Sequence, residues 1–364
     1  MSALPDLAQQ RTAPPGRAPD FGEPARSFTC ATDNIPNYSL DVAAGRWLVL
    51  MFIGSAGLDA SIEALRVALD KRDLFNDLDA ALFAVSVDPA DRTERGLANS
   101  EPGVRFFWDF DFAASRLYGV ANDEVLRPGV FLIDPAFRIV MAEPVENTPA
   151  VMARLEQELA RGPDGEQFPP ILTLPRILEP QLCDELIAYF RAGRPSQSGF
   201  AATVGGRTVE QHNAVLKRRT DVTIEDPVLI NAVRTRLETR LFPMIQRAFA
   251  WRPTRIERYL ICRYAGDDKG FFFPHRDDIT PGAAHRKFAV TLNLNADDYE
   301  GGTLRFPEFG RRVYKPPTGG ATVFSCNLLH EAMPVTSGER FAVVPFLYDE
   351  DGEALRQANL TLAG

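Results

Sequence analysis

Near its middle the chain carries Ala160-Arg161-Gly162-Pro163-Asp164-Gly165-Glu166-Gln167-Phe168-Pro169-Pro170. Glycines and prolines packed this closely can continue neither a helix nor a strand ladder. The stretch therefore divides the chain into two segments, each of which must bury a core of its own. The length of 364 residues agrees, because a single core seldom serves more than about 250–300 residues. The expected divisions are a flexible tail over 1–20, a first domain over 21–162, a linker over 163–170 and a second domain over 171–364.

The first domain alternates strand and helix signals. Trp47-Leu48-Val49-Leu50-Met51-Phe52-Ile53 and Ala81-Leu82-Phe83-Ala84-Val85-Ser86-Val87 are continuous apolar runs, as in strands covered on both faces. Val130 to Asp134 predicts a third strand, with Arg138 to Ala142 as its hairpin partner. Between the first two runs, Ile62, Leu65 and Leu69 recur at helical spacing, and Pro149 to Ala160 predicts a closing amphipathic helix. The class is α/β.

The second domain opens differently. Leu174 to Leu178 reads as a strand end, and Leu182, Leu186, Tyr189 and Phe190 share one helical face. Ala192 to Thr208, rich in Gly, Ser and Thr, predicts a loop. The triplet Lys217-Arg218-Arg219 reads as a solvated surface, or else as the rim of a substrate entrance. Asp226-Pro227 starts a helix that runs towards Phe249, with Pro243 as a kink or break. From Thr254 the period becomes two. Ile256, Arg258, Leu260, Cys262 and Tyr264 are expected on one face. Phe288, Val290, Leu292 and Leu294 share a face of the next strand, opposite Ala289, Thr291, Asn293 and Asn295. A strand with one polar face fits a core only where that face lines a polar cavity.

Composition excludes several classes. A net charge of -9 and a pI of about 5.2 argue against a nucleic-acid binder. No apolar run approaches the ~20 residues that span a bilayer, and the first residues carry no secretory signal. Cys30, Cys183, Cys262 and Cys326 lack any paired spacing; reduced thiols in the cytoplasm are the expectation.

The chemistry concentrates in Phe271-Phe272-Phe273-Pro274-His275-Arg276-Asp277. Residues i and i+2 of a strand point to one side, so His275 and Asp277 can reach one metal ion. His330 supplies a third ligand, and Arg340 follows ten residues later. Two histidines and one carboxylate with open positions are the ligand set of non-haem Fe(II) oxygenases, and zinc is chemically possible with the same set. Arginine suits a forked contact with a diacid. His-Arg-Asp also opens a kinase catalytic loop, but Gly282 stands where that loop needs Asn, and no Gly-rich loop precedes it. His212 and His285 read as loop residues without a role.

Residues from about 170 to 364 resemble the prolyl-4-hydroxylase-like branch of the 2-oxoglutarate/Fe(II) dioxygenases. The resemblance rests on Arg263-Tyr264-Ala265-Gly266, His275-Arg276-Asp277, Leu292-Asn293-Leu294-Asn295, Tyr299-Glu300-Gly301-Gly302-Thr303-Leu304, Pro316 to Thr322, His330-Glu331-Ala332-Met333-Pro334-Val335 and Gly338-Glu339-Arg340, in that order. It implies a double-stranded β-helix (jelly roll) with flanking helices. It also implies Fe(II) on His275, Asp277 and His330, with 2-oxoglutarate bound by Arg340 and helped by Tyr264, Asn293 and Thr291. O2 would be consumed, and a prolyl residue or a small molecule hydroxylated with release of succinate and CO2. Ascorbate is an accessory cofactor the resemblance allows. Phe272 stands where relatives often have Tyr.

Residues 20–160 resemble a thioredoxin-fold peroxiredoxin of the alkyl-hydroperoxide-reductase type, on Trp47 to Ile53, Asp88-Pro89 and Arg127-Pro128-Gly129-Val130-Phe131-Leu132-Ile133-Asp134. The family's Pro, Thr and nucleophilic Cys fall on Gly54, Leu58 and Ser61; only Arg127 survives. A serine hydroxyl is too weakly acidic to replace the thiolate. Cys30 reads as a small buried hydrophobe. Docking, homodimerisation or regulation is the expected use of this half, and a redox or oxygen sensor that binds a partner protein is the competing function for the whole chain.

Overall fold

The computed structural model describes residues 17–162, 167–204 and 206–360. Most of the expected tail and half of the expected linker lie outside these residues. Residues 17–20 belong to the folded part: the Arg26 guanidinium donates to Arg17 O at 2.7 Å, and the Asp20 amide donates to the Glu23 carboxylate at 3.0 Å. Two compact units divide at Phe168/Pro169; the second takes in Pro169–Phe306 and the chain from Arg311 onward.

The first unit is built on a five-stranded mixed sheet. Val104–Trp108, Ala80–Ser86 and Trp47–Gly54 run parallel in that order; Gly129–Ile133 then pairs antiparallel with Trp47–Gly54, and Ile139–Pro144 with Gly129–Ile133. Trp47–Gly54 reads as an unbroken apolar run because both faces are covered. On one side, Ala64, Leu65 and Ala68 of Asp59–Leu69 pack with Val151, Met152 and Leu155 of Thr148–Arg161 against Val49, Met51 and Leu82. On the other, Phe28, Phe52, Phe107, Tyr118 and Phe131 meet mainly edge to face at 4.8–6.3 Å. Such pairs add about 0.5–1.5 kcal/mol each beyond area burial.

Two antiparallel sheets form the core of the second unit. The larger orders Arg255–Glu257, Phe346–Tyr348, Phe288–Asn293, Val335–Val343, Leu260–Ala265, Thr220–Thr223 and Ser196–Gln197, with Ala321–Ser325 also on Phe288–Asn293. The smaller orders Lys217–Arg218, Phe271–His275, His330–Ala332, Leu304–Arg305 and Val313–Tyr314. Helices Pro180–Ala192, Pro227–Arg236 and Phe242–Phe249 cover one face of the larger sheet through Leu182, Leu186, Val233 and Ile245, packed on Val290, Leu292, Phe341 and Val343. Period two then turns Thr291, Asn293 and Arg340 to the opposite face.

Four expectations need correction. The stretch from Ala192 to Thr208 is not all loop: Phe200–Val204 pairs with Arg207–Gln211 as a hairpin. Its sequence signal is Gly205-Gly206 between β-branched residues. The helix towards Phe249 is interrupted before Pro243 rather than at it, by a π-helical turn over Leu237–Leu241. Proline has no N–H to give back four residues, so the ladder loosens in the turn ahead of it. Ile256 and Tyr264 do not share a strand face. Arg258 adopts φ 52°, which ends Arg255–Glu257 and starts a new strand at Leu260; Ile256 packs with the helical core, Tyr264 with Tyr299 and Val335. Finally, the basic triplet is not a solvated surface. Lys217 and Arg219 are both 7% exposed, because Lys217–Arg218 is hydrogen-bonded to Phe271–His275 at the edge of the smaller sheet.

Candidate metal and cosubstrate site

The smaller sheet sets the three candidate ligands. His275 at the end of one strand lies opposite His330 at the start of its antiparallel neighbour. Asp277 is held two residues on, where its amide donates to Cys326 O at 2.9 Å. His275 Nε2 is 3.6 Å from one Asp277 oxygen, and His330 Nε2 is 3.3 Å from the other. The ligand atoms of all three lie within 4.8 Å of one another.

Both imidazoles are oriented from behind. His275 Nδ1 donates to Phe273 O at 2.7 Å, and His330 Nδ1 to Leu328 O at 3.0 Å. A proton fixed on Nδ1 leaves the Nε2 lone pair free for a cation. Phe272 stacks on His275 with centroids 3.5 Å apart. Burial, with His330 beside it, pushes the His275 imidazole down to about 3; it stays neutral, as a ligand must. Burial alone would raise the Asp277 carboxyl, but the neighbouring imidazoles, His330 foremost, hold it well below the usual range. Two imidazole nitrogens and a carboxylate oxygen are a donor set that fits Fe(II).

The larger sheet supplies the second half of the site. Arg340 lies opposite Tyr264 in register and is 4% exposed. Its Nη2 donates to Thr291 Oγ1 at 3.1 Å, and its guanidinium lies 5.2 Å from the Tyr264 ring centroid. Its Nε and Nη1 are buried and, among the described residues, have no hydrogen-bond partner. A buried guanidinium is rarely left two-thirds unsatisfied; an incoming carboxylate would satisfy it. The residues therefore fit 2-oxoglutarate as well as the metal. Asn293 is engaged elsewhere: its Nδ2 donates to Pro316 O at 2.8 Å, and its Oδ1 accepts from the Tyr299 hydroxyl at 3.1 Å.

Three groups escaped the sequence reading. His285 is 2% exposed, not a free loop residue; its Nε2 is 2.8 Å from Glu257 Oε2. Glu257 also accepts from Arg286 at 2.6 Å, and Arg286 donates to Asp277 O at 3.3 Å. This chain of contacts supports the Asp277 backbone. Arg219 joins Asp221 at 2.7 Å and reaches the Tyr264 hydroxyl at 3.5 Å. The Lys217 ammonium sits 4.3 Å from the Phe272 ring centroid.

In the first unit, Ser61 is fully buried and donates to Ile53 O at 2.6 Å. The loop before it is filled by carboxylates: Asp91 accepts from the Ala56 amide at 2.9 Å and from Ser86 at 2.7 Å, and pairs with Arg95 at 2.7 Å. Gly54 has φ 65°, while Leu58 and Arg127 are exposed. Burial pushes the Cys30 thiol up to about 12.

Comparison with known proteins gives two separate family matches. Residues 259–348 match the family model of the 2OG-Fe(II) oxygenase superfamily, and residues 21–142 that of the AhpC/TSA family. A multifunctional procollagen lysine hydroxylase and glycosyltransferase of Rattus norvegicus is 29% identical over 208 residues, 53% of this chain and 26% of that one. A PKHD-type hydroxylase of Maricaulis maris is 32% identical over 151 residues, 41% of this chain and 66% of that one. The chain thus spans only part of the length of these relatives. A solved prolyl hydroxylase of Trichoplax adhaerens, in complex with a hypoxia inducible factor oxygen degradation domain peptide fragment, aligns at 16% identity and TM-score 0.38, covering 51% of this chain and 86% of that one.

Proposed function

Residues 259–348 belong to the 2OG-Fe(II) oxygenase superfamily and residues 21–142 to the AhpC/TSA family, and on that premise we propose that the chain is a 2-oxoglutarate-dependent hydroxylase. Its substrate is a prolyl or lysyl residue of a polypeptide, or a small molecule; succinate and CO2 are co-products. The observation that carries the reading is the pairing of two half-sites. Three converging ligands lie on one sheet, and a buried guanidinium with unpaired nitrogens lies on the other. The two antiparallel sheets support a double-stranded β-helix as the frame.

His275, Asp277 and His330 hold Fe(II) in this reading. When bound, the ion supplies, with 2-oxoglutarate and O2, the oxidising chemistry. The remaining work belongs to the chain. Phe273 O and Leu328 O keep each Nδ1 protonated and each Nε2 aimed. Arg340, steadied by Thr291 and the Tyr264 ring, anchors the far carboxylate of 2-oxoglutarate. Asn293 contributes by holding Tyr299 rather than by touching the cosubstrate.

The first unit serves docking or homodimerisation. That reading is supported by the buried Ser61 and the high Cys30 thiol. A cytoplasmic location is supported by four unpaired, buried cysteines, and ascorbate is included as an accessory reductant on family resemblance alone. The test is succinate formation after oxygen is admitted to protein loaded anaerobically with Fe(II) and 2-oxoglutarate, with Asp277→Ala in parallel. The wild-type chain forms succinate and the variant none, since it loses one of three ligands and the only ligand charge. Equal turnover by Asp277→Ala would remove the metal assignment.

A further inference from the structure

Resting on the hydroxylase reading, we propose that Lys217 and Arg258 bind an anionic group of the substrate, so that the enzyme selects acidic peptides, with a carboxylate near the carbon that is hydroxylated. The chain as a whole is acidic, at -9. Yet cations gather beside the three ligands. Arg219 is neutralised by Asp221 at 2.7 Å, and Arg286 by Glu257 at 2.6 Å. Lys217 and Arg258 have no carboxylate within ion-pair reach among the described residues.

Lys217 is 7% exposed, and its Nζ donates only to Gly199 O, at 2.6 Å. It borders the metal ligands through Phe272, whose ring meets the ammonium at 4.3 Å and His275 at 3.5 Å. Burying an ammonium with one carbonyl for company is costly. Burial, and Arg219 beside it, pull Lys217 down to about 6. Arg258 stands across the Phe346 ring, 4.5 Å from its centroid, where Arg286 also rests at 4.0 Å. Arg258 is solvent-exposed; the packing around it first, then Arg286 and Arg219, lower its guanidinium to about 10, and Asp277 counts among the charges it feels. Arg258 also occupies a left-handed backbone conformation, φ 52°, that a long side chain seldom adopts without a purpose. An amine that burial discharges in the empty site and a guanidinium without a counter-charge, beside a metal site whose own carboxylate is committed to the ion, both gain from an incoming anion, which restores the Lys217 charge. A carboxylate is the anion an ordinary polypeptide offers.

The experiment is isothermal titration of the full chain, loaded with Mn(II) and saturating 2-oxoglutarate so that Arg340 is occupied. The probes are the N-acetylated, C-amidated peptides Gly-Glu-Pro-Glu-Gly and Gly-Gln-Pro-Gln-Gly, with N-acetylglutamate and N-acetylglutamine as small-molecule counterparts. The Glu peptide should bind at least tenfold more tightly than its Gln isostere. Lys217→Met and Arg258→Gln should each shrink that ratio, and Lys217→Glu combined with Arg258→Glu should reverse it in favour of Gly-Lys-Pro-Lys-Gly. A preference seen with N-acetylglutamate and not with the peptides would overturn the peptide assignment. Equal affinity for acid and amide in the wild-type chain would overturn the proposal whatever the variants do. Succinate formation on a parallel sample of the same protein, loaded with Fe(II) and 2-oxoglutarate and given O2, reads the hydroxylase assignment separately: succinate with equal affinities rejects the anion site alone, and an acid preference without succinate rejects the hydroxylase reading instead.

Discussion

Arg340 joins the sequence to the chemistry through one side chain. It lies ten residues after His330 and is buried on the inner face of the larger sheet with Nε and Nη1 unpaired. Removing one partner of a buried, charge-assisted contact costs roughly 2–5 kcal/mol. At about 1.4 kcal/mol per tenfold, Arg340→Ala should weaken half-saturation by 2-oxoglutarate about 30-fold or more. Metal content should be kept, since Arg340 gives no metal bond. Arg340→Lys should recover part of the loss, because charge remains and the planar fork does not. Titration of 2-oxoglutarate against succinate, with metal measured on the same sample, checks this; unchanged half-saturation in Arg340→Ala would take away the diacid role. The cluster of His275, Asp277 and His330 and the buried Arg340 were legible as candidates because such chemistry is bound to residue type and spacing. Lys217, Arg219 and His285 were not. Their roles depend on burial, and burial is set by which strand pairs with which, information that lies outside any local window. Alternation in Lys217-Arg218-Arg219, with Arg218 exposed between two buried neighbours, was the one local hint.

The same contrast holds for elements. Trp47–Gly54 and Ala80–Ser86 were readable as strands because a two-sided burial leaves no polar positions. Phe288–Asn293 was readable by its alternation, and its polar face proved to be the one that carries Thr291 to Arg340. The strand break at Arg258 and the π-turn at Leu237–Leu241 were not readable. The first is a backbone departure on a residue with no propensity for it; the second moves the break that Pro243 announces one turn towards the N-terminus. One such departure gives a stability test. Ala250 closes the helix Phe242–Phe249 in the left-handed region, φ 52°, and is exposed. Glycine removes the Cβ clash of that conformation and loses no contact, so Ala250→Gly should stabilise the second unit by about 0.5–1 kcal/mol. Thermal denaturation should show a higher midpoint; a lower one would mean that the Ala250 methyl is packed rather than strained.

At the scale of the whole molecule, the chain forms two compact units, each matching a different family model. The first has a thioredoxin-like frame, and at the position where the resemblance expects the nucleophilic cysteine it carries Ser61, sealed under Ile53 O, with the loop before it taken up by Asp91 and Arg95. The full chain should therefore consume no peroxide with a thiol reductant. Turnover that survives Cys30→Ser would show that another group has replaced the lost cysteine. Proline and glycine punctuate the sequence from 162 to 170, and the two compact units divide at Phe168/Pro169. The central claim concerns the second unit: it is an oxygenase, and the fate of the oxygen atoms tests it most directly. The full chain, loaded with Fe(II) and 2-oxoglutarate, is exposed to O2 labelled with the heavy isotope, and the succinate is weighed by mass spectrometry. Succinate carrying one heavy oxygen atom is the result this account predicts. Succinate free of label, or no succinate at all, would contradict it.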